Sequence, residues 1–445
     1  MKNTSKLISF IFLSISILIF LYVFYRAEIY HGGIKFKHHY IKYYNFSLIL
    51  IILSIISFFI RKEAKVRIGL ILVSTTIGLY LLQALLLIKE GNLIADLTYD
   101  TRDVLHVYKD LVKNNPDIIL TPVPRNFLEE KNQKIFSFSG ISKKKTIGCN
   151  ENGYYSIFDS DRYGFNNPDD DWDKKEIEFL LIGDSMAHGS CVNQPDTIGG
   201  NLRKLIENGG VLSLGQRSNG PLIEYAALKE YLHLIKVKRV LWLYFEGDDL
   251  INLPIEINNK ILNKYLNDKN YSQNLYLRQN EIDQKLIHKY NSVKTHILSR
   301  NKKKTSFPRF LKLYFLRKIT IERFFAQKAF SDPRVISAEF KKIIKLSKSL
   351  VEANQAKLYF IYIPEIHRYI KKLDNDKNYN DYEKVVQFVN YVGIPVIDIN
   401  KELFSKQKDK LSLFPFRSRN HFTEKGYKLI AETIFNKIQK FENVK

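Results

Sequence analysis

The sequence predicts an α/β protein in which three N-terminal transmembrane helices precede a three-layer α/β/α, flavodoxin-like sandwich with a mainly parallel sheet. Two observations predict it. Before position 90, three runs, Leu7 to Tyr25, Phe46 to Ile60 and Ile68 to Ile88, contain no charged residue. After about position 174, short β-rich apolar runs alternate with stretches of helical periodicity, the pattern of parallel strands covered on both faces.

The first and third runs approach the roughly 20 residues that cross about 30 Å of hydrocarbon, and the second reaches that length by recruiting Tyr43 or Tyr44. The first run ends in Phe24-Tyr25-Arg26 rather than in small residues, which favours an uncleaved anchor over a secretory signal peptide. Lys2 and Lys6 precede the first run, and Arg61, Lys62, Lys65 and Arg67 crowd the short loop before the third. The positive-inside rule then places the N-terminus in the cytoplasm and everything beyond Lys89 outside it, in a multi-pass membrane protein.

This reading divides the chain into three segments: a membrane anchor at 1–91, a connector at 92–173 that folds onto the α/β domain after it, and that domain itself at 174–445 with an insertion at about 250–332. The connector shows no strong periodicity, although Ser160 to Pro168 is dense in turn formers. Strands are expected at 178–182, 211–214, 239–245, 357–363 and 395–399, and helices at 221–235, 335–354 and 423–439, the last capped by Thr423. In the insertion, Phe307 to Phe325 mixes aromatic and aliphatic residues with Arg309, Lys312, Arg317, Lys318 and Arg323. Such a basic amphipathic stretch suits either a membrane surface or a helix covering the domain.

The chain has 445 residues, 45% hydrophobic and 26% charged, which excludes global disorder. Its formal charge of +23 raises the question of nucleic acid. Residues 1–90 hold eleven Lys or Arg against three Glu, leaving +15 on a remainder rich in both signs. No zinc-finger spacing, RNA-binding aromatic signature or recognition helix accompanies the charge, so it reads as solvated faces and attraction to anionic headgroups, with no nucleic-acid partner. The two cysteines, Cys149 and Cys191, lack metal-site spacing. In an oxidising compartment they can pair, pinning the connector beside residue 185; two buried thiols are the alternative.

A serine becomes a nucleophile only when a base takes its proton and donors receive the developing oxyanion. Phe179 to Ile182 is a buried strand running straight into Gly183-Asp184-Ser185. Ser185 therefore sits at the carboxyl end of a central strand, where open α/β sheets place ligands. Near the C-terminus, His421 precedes the Thr423-capped helix and supplies the base. His188 reads as structural, and Arg217 as either a solvent-exposed arginine or a holder of an anionic group.

The pair resembles the first and last blocks of the SGNH/GDSL hydrolases, Gly-Asp-Ser after the first strand and Asp-x-x-His before the final helix. The middle blocks match at Leu214 to Pro221, a Gly-bearing loop, and at Glu246-Gly247-Asp248-Asp249, where the family carries Gly-x-Asn-Asp. The resemblance covers roughly residues 177 to 440. Ser160 to Pro168, Gly189 to Asn193 and Asn219 to Leu222 are also similar to a bacterial membrane-anchored branch of that family. The resemblance implies an esterase or acyltransferase acting on acylated sugars or cell-surface glycans, with Ser185 and His421 catalytic and no metal or cofactor. It assigns oxyanion-hole or auxiliary roles to Gly215, Ser218, Asn219 and Asp248, and places Ser418 where the family carries the Asp that orients the histidine. Asp249 and Asp398 are substitutes for that Asp. Asp248 and Ser418 depart from the family pattern and open a second reading, a catalytically weakened or inactive glycan-binding or assembly protein.

Overall fold

A computed structural model describes residues 2–30, 37–95, 99–100, 102–130, 133–299, 310–314, 316–317, 336–370 and 380–443. The chain divides into two compact units, one of residues 1–92 with 304–325, the other of 93–303 with 326–445.

The first unit contains α1 (Lys2–Phe24), α2 (Lys37–Ile56) and α3 (Lys62–Ala95). Their stretches Lys6–Ile29, Tyr40–Phe59 and Lys62–Ile88 are long and apolar enough to cross a membrane. Where α1 meets α2, small hydroxyl residues allow close approach: the Ser16 and Ser54 hydroxyls lie 2.8 Å apart, and both also bond the Leu50 carbonyl. Elsewhere the helices expose Leu18, Leu70, Leu72 and Leu85, a surface that lipid, not water, would cover. The described part of the basic amphipathic stretch packs on α3. The Phe310 ring lies tilted against Tyr80 with centroids 5.4 Å apart, the Tyr80 hydroxyl donates to the Leu311 carbonyl at 2.8 Å, and the Leu316 amide donates to Gln83 Oε1 at 3.0 Å. The remainder of Phe307 to Phe325 lies outside the described residues.

The connector, which belongs to the second unit, has more structure than its weak periodicity suggests. Asp103 caps α4 (Val104–Asn114) by accepting from the Leu105 and His106 amides, and β1 (Ile119–Leu120), β2 (Lys145–Ile147) and β3 (Ile157–Asp159) form a small sheet.

The larger sheet of this unit is made of β4 (Ile177–Gly183), β5 (Gly210–Ser213), β6 (Val237–Phe245), β7 (Lys357–Ile363) and β8 (Val396–Asp398). Its strand order is β5-β4-β6-β7-β8, every pair parallel. Counted from the first strand of this sheet the order is 2-1-3-4-5, the flavodoxin-like arrangement. Side chains alternate along each strand. Leu180, Ile182, Val240, Trp242 and Phe360 face a core shared with the Pro221–Tyr231 and Ala338–Ala353 helices, while Phe179, Leu181, Leu241, Leu243 and Ile361 face the Ile198–Leu205 and C-terminal Glu424–Asn443 helices. Because both faces are dry, truncating one of these residues to Ala would cost about 2–5 kcal/mol.

The turn-rich segment of the connector is organised by buried Asp161, which accepts from the Tyr163 and Phe165 amides, Asn167 Nδ2 and Trp172 Nε1. Asn167 in turn bonds the Ser213 amide and carbonyl at 2.8 and 3.0 Å, satisfying the open edge of β5. In the insertion, the helices Asp249–Ile257, Lys260–Asn267 and Gln279–Ser299 belong to this same unit.

Candidate active site

The sheet delivers Ser185 to its carboxyl edge through a turn that requires glycine. Gly183 has φ +149°, and a Cβ there would lie 2.7 Å from the Leu243 carbonyl on β6. Asp184 then caps the short helix α5 (Ser185–His188), its Oδ1 accepting the Met186 amide at 2.8 Å. Ser185 begins that helix, so its own amide belongs to the first turn, where N–H groups lack intrahelical acceptors. The Ser185 hydroxyl donates to Asp184 Oδ2 at 3.2 Å. Burial pushes the Asp184 carboxyl up to about 7, with Asp248 adding to the shift and the Met186 amide and His421 opposing it.

His421 is oriented by a residue that the sequence reading did not single out. Its Nδ1 lies 3.0 Å from Glu151 Oε2, and the same oxygen accepts the His421 backbone amide at 3.1 Å. Burial pushes the Glu151 carboxyl up, but the bonds and charge of His421, with Arg419, outweigh it and hold the group below the usual glutamate range. An ionised carboxylate on Nδ1 fixes the tautomer that leaves Nε2 free to act as base. Ser418, given this role by position, is exposed, and among the described residues only its backbone amide is engaged, with the Pro415 carbonyl at 3.2 Å. Asp249 is buried and accepts the Phe245 amide at 3.0 Å, and Asp398 caps the turn at Ile399 while accepting from the Tyr382 hydroxyl. Neither stands in for the family's Asp.

Glu151 reaches the histidine because a disulfide joins Cys149 to Cys191, with the Cα atoms 4.7 Å apart. The bridge ties the connector to the segment just beyond Ser185. Asn152 reinforces it, donating to the carbonyls of Cys191 at 3.0 Å and Phe422 at 3.3 Å. From the other side the Tyr427 hydroxyl donates to the Ser190 carbonyl at 3.0 Å. The loops bearing Ser185, Glu151 and His421 are thus cross-linked to one another. Cys149, Cys191 and His421 also form the one group of His, Cys and acidic side chains with donor atoms close enough to share a cation among the described residues, within 4.8 Å. Both sulfurs are committed to the disulfide, so no thiolate remains to hold one.

Comparison with known proteins finds likeness among solved structures. No family model matches the chain, and no curated protein matches it. A member of the lipolytic protein G-D-S-L family from Veillonella parvula is 13% identical, with a TM-score of 0.32 over 58% of this chain and 97% of that one. A lipase/acylhydrolase from Enterococcus faecalis is 14% identical, with a TM-score of 0.33 over 59% of this chain and 96% of its own. These solved neighbours are lipolytic proteins.

The candidate oxyanion-hole residues lie in two loops. Gly215 packs against α5, and a Cβ there would sit 2.5 Å from Ala187 Cβ and 2.6 Å from the His188 amide. Ser218 adopts φ +63°, the left-handed region that glycine occupies more cheaply, in the loop where the resemblance expects a glycine. The Asn219 amide closes a turn on the Gln216 carbonyl at 3.3 Å, while its buried side-chain Nδ2 and Oδ1 have no partner among the described residues. A buried, unpaired amide costs stability unless a ligand completes it, which makes the Asn219 side chain a better donor than its backbone. Asp248 is half-buried at the start of the Asp249–Ile257 helix, where its side chain does not cap the helix. His188 is buried with its ring edge-on to Phe158 at 5.1 Å. Burial, helped by the charges of Arg217 and His421, lowers it to about 3, so it is neutral.

Proposed function

We propose that this chain is a membrane-anchored SGNH-type serine esterase or acyltransferase acting, outside the cytoplasm, on acylated sugars or cell-surface glycans. The observation that carries the reading is the ion pair of His421 Nδ1 with Glu151 at 3.0 Å, on loops that the Cys149–Cys191 disulfide and Asn152 tie to the segment following Ser185. In the proposed reaction Ser185 Oγ attacks the ester carbon and its proton passes to His421 Nε2. The charge on the carbonyl oxygen is received by the Ser185 amide and the Asn219 side chain. Collapse expels the sugar oxygen, which takes the proton from His421 and leaves an acyl-Ser185. Water or a second sugar hydroxyl, deprotonated by His421, then attacks the acyl carbon, and His421 returns that proton to the departing Ser185 oxygen. Hydrolysis and transfer differ only in that last nucleophile.

The disulfide supports an oxidising compartment, and the cationic loop before α3 supports the same topology. The bilayer and an acylated glycan are the proposed partners. One observation favours the second reading, a weakened or non-catalytic glycan-binding protein: Asp248 brings a carboxylate where the family has a donor. The test is release or transfer of acetate from acetylated oligosaccharides by the full chain in detergent. Turnover that disappears in Ser185→Ala supports the proposal, and no turnover of any ester in folded protein sinks it.

A further inference from the structure

Beside the catalytic neighbourhood lies a cavity of about 460 Å³ whose wall includes Tyr99, Asp100, Arg102, Cys149, Tyr155 and Arg217. Cys149 connects it to His421, because its disulfide partner's Sγ lies 3.6 Å from His421 Nδ1. The two arginines in this wall differ. Arg102 is neutralised by Asp100 at 2.6 Å and Asp110 at 2.8 Å. Arg217 makes no hydrogen bond or ion pair among the described residues although it is partly buried. Burial pulls its guanidinium down, opposed by the charge of Glu151, which is itself bonded to His421. A guanidinium does not deprotonate in a protein, so its fork of donors is partly withdrawn from water without a partner among the described residues.

A ligand oxyanion would supply that partner. Asp100 is spent on Arg102 and Glu151 on His421, so Arg217 is left to match one ligand charge and not two. Tyr99 and Tyr155 add flat walls, with their hydroxyls occupied by the carbonyls of Asn150 and Arg102. We propose that this cavity is a subsite for a carboxylate-bearing sugar unit of the substrate, gripped through its carboxylate by Arg217. The assignment rests on the hydrolase reading for the identity of the glycan as substrate.

The test is calorimetric titration of the full-length Ser185→Ala protein in detergent with D-glucuronate, D-glucose and inorganic phosphate. Saturable glucuronate binding is expected, weakened about tenfold or more by Arg217→Gln and less by Arg217→Lys, as for a charge-assisted hydrogen bond. Absence of saturable glucuronate binding overturns the proposal, as does glucose binding equally well, phosphate binding more tightly than glucuronate, or indifference of a folded Arg217→Gln protein. Fluorophosphonate labelling of wild-type Ser185 is scored separately. Binding through Arg217 without labelling leaves the subsite standing and removes the hydrolase, whereas labelling without binding removes only the subsite.

Discussion

Replacing Glu151 by Gln removes one charge from the site while leaving its shape nearly unchanged. Both contacts to His421 go to the same oxygen, Oε2, so an amide oxygen in that place can still accept them. What is lost is the attraction between the carboxylate and the imidazolium that forms as Ser185 attacks. At 3.0 Å and an effective dielectric of about 20, Coulomb's law gives about 5 kcal/mol. The side chains keep 14% and 24% of their exposure, and screening by that solvent reduces the figure to about 3 kcal/mol, or roughly a hundredfold in rate. If the amide turns its NH2 toward the ring, the wrong tautomer is imposed and the loss approaches about ten-thousandfold. The assay is kcat and KM for p-nitrophenyl acetate with full-length protein in detergent, alongside a thermal melt to show that the variant is folded. The expected result is a fall in kcat of about 10²-fold to 10⁴-fold with little change in KM. A folded Glu151→Gln enzyme within about threefold of wild type would refute the assignment of Glu151 to the histidine.

The same geometry makes three further outcomes testable. Asn219→Ala should lower kcat by about a hundredfold to a thousandfold if its buried amide donates to the oxyanion, and steady-state kinetics showing unchanged kcat removes it from the hole. Replacing both Cys149 and Cys191 by Ser opens a loop of sequence separation 42, which should cost about 4 kcal/mol by chain entropy. It should also lower kcat by loosening Glu151, whereas full activity and an unchanged Tm would contradict the strap role. Burial raises Asp184 to about 7 and pushes Glu224 and Asp249 well above the usual carboxylate range. For groups raised on folding, stability is fully present below the unfolded pKa near 4 and is lost as pH climbs through the folded value. Asp184 alone accounts for on the order of 4 kcal/mol across that window, so Tm should fall from pH 5 to 8 and fall less in Asp184→Asn; a Tm that rises over this range would count against the buried acids.

The membrane helices and the sheet were legible because their signals are long. Three uncharged runs mark α1 to α3, and strands such as Lys357–Ile363 carry no charge beyond their first residue because both faces are covered. The small sheet in the connector was not legible, since strands of two or three residues carry no period. For α4 the signal was present, with Asp103 as cap and Val104, Val107, Tyr108, Leu111 and Val112 on one face. Gly183-Asp184-Ser185 and His421 stood out because turn, strand and spacing coincide. Glu151 did not, because it comes from a loop about 30 residues before the nucleophile and reaches the histidine only through tertiary contacts. The pairing of Cys149 with Cys191 was the clue, since it carries residue 151 to the segment beyond Ser185. Ser418, assigned by position alone, is exposed, while the carboxylate on His421 Nδ1 comes from the connector.

The central claim is that Ser185 is an activated nucleophile, and covalent labelling by a fluorophosphonate probe tests it most directly. Mass spectrometry of the full-length protein should find one adduct at Ser185, absent in Ser185→Ala and formed far more slowly in His421→Ala and Glu151→Gln. Folded protein that takes no adduct at Ser185, or takes it equally fast without His421, would contradict the account.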